Sequence, residues 1–122
     1  MMDMDALKRI GINTEEGLAY CADDPEFYEE MIIEYLNESG KRTDDLKKYF
    51  TERSWQQYGI CVHSIKSTSK MIGAAALSEH AREMEFAAKE GDAAALTAGS
   101  DRFLTEYTEL VNALRMIAEE EG

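Results

Sequence analysis

The sequence predicts an all-α chain, an antiparallel up-down four-helix bundle with short capping helices at its N-terminal end. Three observations predict it. One proline and eight glycines in 122 residues leave little material for turns, while Ala, Glu, Leu and Lys, all good helix formers, are abundant. Apolar residues recur at steps of three and four from one end to the other. Helix-starting residues and glycines punctuate that pattern so closely that the connections must be short, and short connections make successive helices antiparallel neighbours.

A first short helix is expected over about residues 3–10, with Leu7 and Ile10 facing inward. Asn13 followed by Glu16 has capping-box spacing. It opens a second short helix that carries Leu18 and Cys21 and stops near Asp23. Asp24 before Pro25 marks the next start, since proline suits the first helical turn. The stripe Tyr28, Ile32, Tyr35, Leu36, Leu46, Tyr49 and Phe50 stays in phase across Gly40, which predicts one long helix. Gly40 costs about 1 kcal/mol relative to Ala, and a kink there is the alternative.

Ser54 is expected to cap a helix running to about Ile72 and ended by Gly73. Another helix follows from about Ala75 to Lys89, with Leu77, Ala81, Met84 and Ala88 in one stripe. Gly91 closes it and Asp92 caps the last. There Leu96, Ser100, Phe103, Tyr107, Leu110, Leu114 and Ile117 alternate in steps of four and three, a bundle-core pattern. The two short helices would lie across one end. Trp55 reads as an anchor in the bundle, the seven methionines as core filler, and Glu119 to Glu121 as a solvated end. No linker, repeat or low-complexity run divides the chain, so residues 1–122 are expected to form a single domain with its core over about residues 9–117.

The formal net charge of −12 argues against nucleic acid and against anionic membrane surfaces, because both need a basic patch. No apolar run is long enough to span a bilayer, and Met1 to Ile10 lacks the regions of a signal peptide. Cys21 and Cys61 are expected to be reduced thiols of a cytoplasmic protein. A metal pair at Cys61 and His63 is disfavoured, because residues two apart on a helix do not share a face. Neither a metal nor a cofactor is expected.

Around His63 the pattern carries chemistry. At 100° per residue, Tyr58, Cys61, Ile65, Thr68 and Ile72 gather on one side of their helix, flanked by Val62 and Ser69. His63 points away from them and shares its face with Gly59, Lys66, Ser67 and Lys70. From Arg53 to Ser78 there is no Asp or Glu, where the chain's average density would place about five. Such a stretch suits a site that accepts a dianionic phosphoryl group. An unperturbed imidazole, with its pKa near about 6.5, offers a neutral nucleophilic nitrogen at cytosolic pH. On composition and periodicity alone, however, an ordinary surface histidine on a solvated face is the better account of His63. His80, beside the stripe of Leu77, Ala81 and Met84, reads as a packed structural histidine.

The segment His63-Ser64-Ile65-Lys66-Ser67 resembles the His-x-x-Lys-(Gly/Ser) motif of histidine phosphotransfer (HPt) domains. It continues in the family's manner with Ile72-Gly73-Ala74, Leu77, Met84-Glu85 and Gly91-Asp92. Upstream, Gly17-Leu18 and Asp24-Pro25-Glu26-Phe27-Tyr28 resemble the family's opening helices, so the similarity covers about residues 9–117. Ser67 stands where Gly is frequent and Lys70 where a small residue is frequent. The resemblance implies a four-helix bundle in a multistep two-component phosphorelay. It implies that His63 accepts a phosphoryl group from a receiver-domain aspartate and returns it to another receiver, with Lys66 steadying the phosphoryl oxygens. The partners implied are response-regulator receivers, whose bound metal ion would assist the transfer, and a hybrid sensor histidine kinase.

In helical projection Gly59 and Ser67 flank His63, and Ile60, Ser64 and Met71 form its shoulder. With Lys70 they make up the expected docking face. The small pair would keep the ring accessible and Ile60 and Met71 would offer apolar contact, unless the N-terminal helices cover those two. Lys66 is expected to be exposed, so that its loss would leave stability nearly unchanged. The chain is expected to be a monomeric phosphocarrier. It has no Gly-rich phosphate loop and no length for an ATP-binding domain, which disfavours a kinase. An HPt-like helical scaffold without transfer activity is the competing reading, although loss of the histidine or lysine would be its mark and both are present.

Overall fold

The structure, a computed structural model, describes residues 2–121, the side chain of Glu121 excepted. The described residues form six helices and no strand: α1 (Met4–Arg9), α2 (Thr14–Tyr20), α3 (Pro25–Thr51), α4 (Trp55–Met71), α5 (Ala75–Lys89) and α6 (Ala93–Glu121). Helices α3 to α6 pack in a ring, each against its two neighbours and neither against the helix diagonally opposite. This is the up-down bundle that short connections dictate.

Local chemistry sets most of the helix starts. Asp3 accepts from the amides of Asp5 and Ala6, and Asp24 from those of Glu26 and Phe27. Asn13 accepts from the Glu16 amide at 3.0 Å while its own amide donates to the Glu16 carboxylate. Asp92 accepts from the Ala95 amide. Ser54 departs from expectation. It occupies the N-cap position of α4 but makes no side-chain cap bond, its ψ of 75° falling short of the 91–109° at Asp3, Asn13 and Asp24.

The chain leaves α4 and α5 in the same way. Gly73 and Gly91 take φ of +88° and +66°, and the following amides reach back to the Ser69 and Ala87 carbonyls at 2.8 and 2.9 Å. That is the Schellman closure a left-handed residue permits. Arg53 adopts the same conformation without being glycine, at φ 55°. Helix α3 runs unbroken through Gly40, so the one long helix is realised.

The core is continuous along the ring. Tyr28, Ile32, Tyr58, Val62, Ile65, Leu96, Phe103, Tyr107 and Leu114 are fully buried, and Tyr35 meets Tyr107 edge-on. Trp55 packs against Phe50 and Tyr58. The methionines divide: Met2 and Met84 are buried, but Met71 and Met116 stand exposed, so these two are not core filler, and Met1 lies outside the described residues. Glu119 and Glu120 are exposed.

The short helices close one end of the bundle. The Asn13 amide donates to the Gly73 carbonyl at 2.9 Å, and the buried Tyr28 hydroxyl donates to the Ile72 carbonyl at 2.8 Å. Leu7, Ile12 and Cys21 are buried beneath them.

Candidate functional site

Helices α4 and α5 run antiparallel and build the site between them. Both present small residues at the seam. A Cβ added at Gly59 would lie 3.1 Å from the Ala88 Cβ, and the Ser78 hydroxyl donates to the Lys66 carbonyl at 3.0 Å. Between these contacts α5 brings Glu85 up to His63. Ser78, Ala81, Glu85 and Ala88 are the buried ladder of α5 at steps of three, four and three.

His63 has a half-exposed side chain, and its Nδ1 lies 2.6 Å from Glu85 Oε2. Lys66 Nζ donates to Glu85 Oε1, also at 2.6 Å. Lys89 approaches Oε2 at 3.6 Å. Burial of Glu85 would by itself raise its carboxyl, but the hydrogen bonds and charges of Lys66 and His63 outweigh that and hold it below the usual carboxylate range. An ionised carboxylate only accepts hydrogen bonds, so Nδ1 is the nitrogen that carries the hydrogen. The lone pair then lies on Nε2. The buried acid orients the ring through Nδ1 and leaves Nε2 without a partner among the described residues.

Glu85 revises the picture of a site free of negative charge. The acid-free stretch is real along the chain, but the neighbouring helix supplies a carboxylate to the histidine itself. Counting charges along one helix cannot see across a helix pair. The signal available was an acid placed on the inward ladder of α5.

The other residues singled out in the sequence divide by place. Ser67 and Lys70 are exposed and line, with Glu16, His63, Lys66, Glu79 and Arg82, a groove of about 490 Å³ that carries charges of both signs. Ile60 and Met71 are exposed at 56% and 39%, so the N-terminal helices do not cover them. Ile60 and Ser64 border a second, mainly apolar groove of about 380 Å³ with Trp55, His63, Ala88 and Lys89. Gly59 is buried against Ala88. Its missing side chain serves the close approach of α5 rather than open access to the ring. His80 lies away from this cluster, with Nδ1 2.8 Å from Glu106 Oε2 and its ring edge-on to Phe103, as a packed structural histidine does.

A family model, that of the Hpt domain, matches residues 30–117. The chain belongs to the Hpt domain family. Comparison with curated proteins and with solved structures gave no match. Hpt domains are histidine phosphotransfer modules of phosphorelays, phosphocarriers rather than kinases, and they work with receiver domains and kinases. The all-helical bundle described above fits that family. No described helix is long and apolar enough to cross a membrane. Among the described residues no cluster of His, Cys, Asp or Glu is arranged to hold a metal ion.

Proposed function

We propose that His63 is the phosphoacceptor of this Hpt domain, taking a phosphoryl group on Nε2 from the aspartyl phosphate of one receiver domain and passing it to the aspartate of another. The observation that carries this is the 2.6 Å contact of Nδ1 with the buried Glu85 carboxylate, which leaves Nε2 as the free nucleophile on an exposed ring. In the forward step the Nε2 lone pair forms a bond to phosphorus, and the phosphorus–oxygen bond to the aspartate breaks with its electron pair returning to that carboxylate. The Nδ1 proton stays in place. The ring becomes positively charged as it is phosphorylated, and Glu85 stabilises that charge, so the step needs no separate base. Reversal delivers the group onward.

Lys66 is the cation for the phosphoryl oxygens. Ser67, Lys70, Ile60, Ser64 and Met71 form the docking face, and Gly59 supports it from within the helix seam. The two grooves beside His63, one lined by charged side chains of both signs and the other mainly apolar, fit a receiver that presents both charged and apolar surface. The complex is expected to be transient and small, and the carrier monomeric and cytoplasmic.

The test is labelling of the whole chain by a phosphorylated receiver. The wild type should acquire an acid-labile, base-stable phosphate, His80→Gln should label normally, and His63→Gln should not label. Label retained in His63→Gln sinks the assignment, and a wild type that never labels favours the scaffold reading instead.

A further inference from the structure

We propose that Lys89 is a positioning residue that takes over the charge of Glu85 when Lys66 turns to a phosphoryl group on His63. This rests on His63 being the phosphoacceptor.

In the unphosphorylated structure Lys66 is already engaged. Its ammonium donates to Glu85 Oε1 at 2.6 Å, and its side chain is 28% exposed while that of Glu85 is 7% exposed. A phosphoryl group on the neighbouring ring brings up to two negative charges and three acceptor oxygens beside that ammonium. Lys66 then serves two acceptors or leaves one of them. The cationic ring stays on Oε2, but Oε1 would lose its donor, and a buried carboxylate that gives up one of its cations in this way is disfavoured.

Lys89 is placed to prevent this. It follows Glu85 by one helical turn, its ammonium lies 3.6 Å from Oε2, and its side chain is 72% exposed. Among the described residues Glu85 is its one ion-pair partner. A shift of about one ångström converts the loose approach into a charge-assisted hydrogen bond. The other cations of the site are less suited. Arg82 is bound to Glu79 by both its Nε and its terminal nitrogen, and Lys70 forms no ion pair with Glu85 among the described residues. Lys66 and Lys89 approach the two oxygens of Glu85 separately, so one can leave while the other closes.

The experiment uses the full chain, with phosphoramidate as the phosphodonor. It reads the rate at which His63 gains phosphate and the half-life of the phosphohistidine in the wild type, Lys89→Gln, Lys89→Arg, Glu85→Gln and the Glu85→Gln/Lys89→Gln pair. Lys89→Gln should slow labelling or shorten the half-life roughly threefold to tenfold, with thermal stability nearly unchanged and Lys89→Arg restoring the wild-type value. In the Glu85→Gln background, where no carboxylate needs a cation, Lys89→Gln should add no further loss. Wild-type kinetics in Lys89→Gln overturn the proposal. So does an equal loss in the Glu85→Gln background, which would mean that Lys89 acts on the phosphoryl group directly. A change in stability matching the change in rate would reduce Lys89 to a structural cation and also overturn it. Label surviving in a His63→Gln control overturns the phosphoacceptor assignment, and this inference with it, and is read separately from the Lys89 series.

Discussion

Lys66 holds a buried carboxylate, and its loss should be felt twice. The sequence placed it on an exposed face, where removal would slow transfer and leave stability alone. With Glu85 only 7% exposed, Lys66→Ala should slow phosphotransfer by roughly tenfold and also destabilise the fold by about 1–3 kcal/mol, the range for breaking a charge-assisted bond to a buried partner. Urea denaturation beside transfer kinetics checks both effects, and adding Glu85→Gln to Lys66→Ala should recover part of the stability. Glu85 also predicts the acid limb. Its folded value lies below the ordinary 4.5, so its contribution is complete above that value and is lost as pH falls through the lower, folded one. Stability should therefore decline less steeply below about pH 4.5 in Glu85→Gln than in the wild type, and identical acid limbs in denaturation series would refute this. Glu106, held low mainly by its hydrogen bond to His80, keeps some acid dependence in both. His63, its exposure and its lysine were legible in the sequence because they share one helix and a fixed rotation per residue. Glu85 lay within the resembling stretch, but its contact with His63 was not legible, because its partner lies 22 positions away on another helix.

Among the helices, two glycines that look alike in the sequence should respond in opposite directions. A Cβ at Gly40 meets nothing within 4 Å and sits mid-helix, so Gly40→Ala should stabilise by about 0.5–1 kcal/mol. At Gly17 the added atom would lie 2.6 Å from the Tyr28 ring and 2.9 Å from the Ile72 carbonyl oxygen. Gly17→Ala should cost about 1–3 kcal/mol. Thermal melts of the two variants decide it, and equal shifts would count against the packing described for α2. Helix boundaries were largely legible, since Asn13, Asp24, Gly73, Asp92 and Gly91 act through chemistry local to a few residues. The failed cap at Ser54 was not, because a hydroxyl caps only at a suitable ψ. Nor was the left-handed exit at Arg53, where the closing bond from the Ser54 amide to the Tyr49 carbonyl holds a residue type that does not announce it.

Taken as a whole, the molecule carries −12, yet around His63 the cations Lys66, Lys70, Arg82 and Lys89 match the carboxylates Glu16, Glu79 and Glu85 in number or better. On the docking face proposed above, a receiver would meet an exposed helix surface at Ser67. Ser67→Arg should leave the melting temperature nearly unchanged, because arginine is a good helix former, and should greatly reduce transfer from a phosphorylated receiver. A folded variant that accepts phosphate at the wild-type rate would take position 67 out of the interface.

The clasp between the N-terminal helices and the far end of α4 bears on how little of this chain can be dispensed with. The family model begins at residue 30, whereas Leu7, Ile12, Cys21 and Tyr28 are buried, and Asn13 and Tyr28 engage the carbonyls of Gly73 and Ile72. A fragment trimmed to the shared family boundaries would bare apolar surface at the base of the helix that carries His63 and leave two of its closing carbonyls without their partners. An excision of this domain for grafting or labelling should therefore carry the first two dozen residues, and a fragment begun at residue 30 is expected to melt lower than the whole chain.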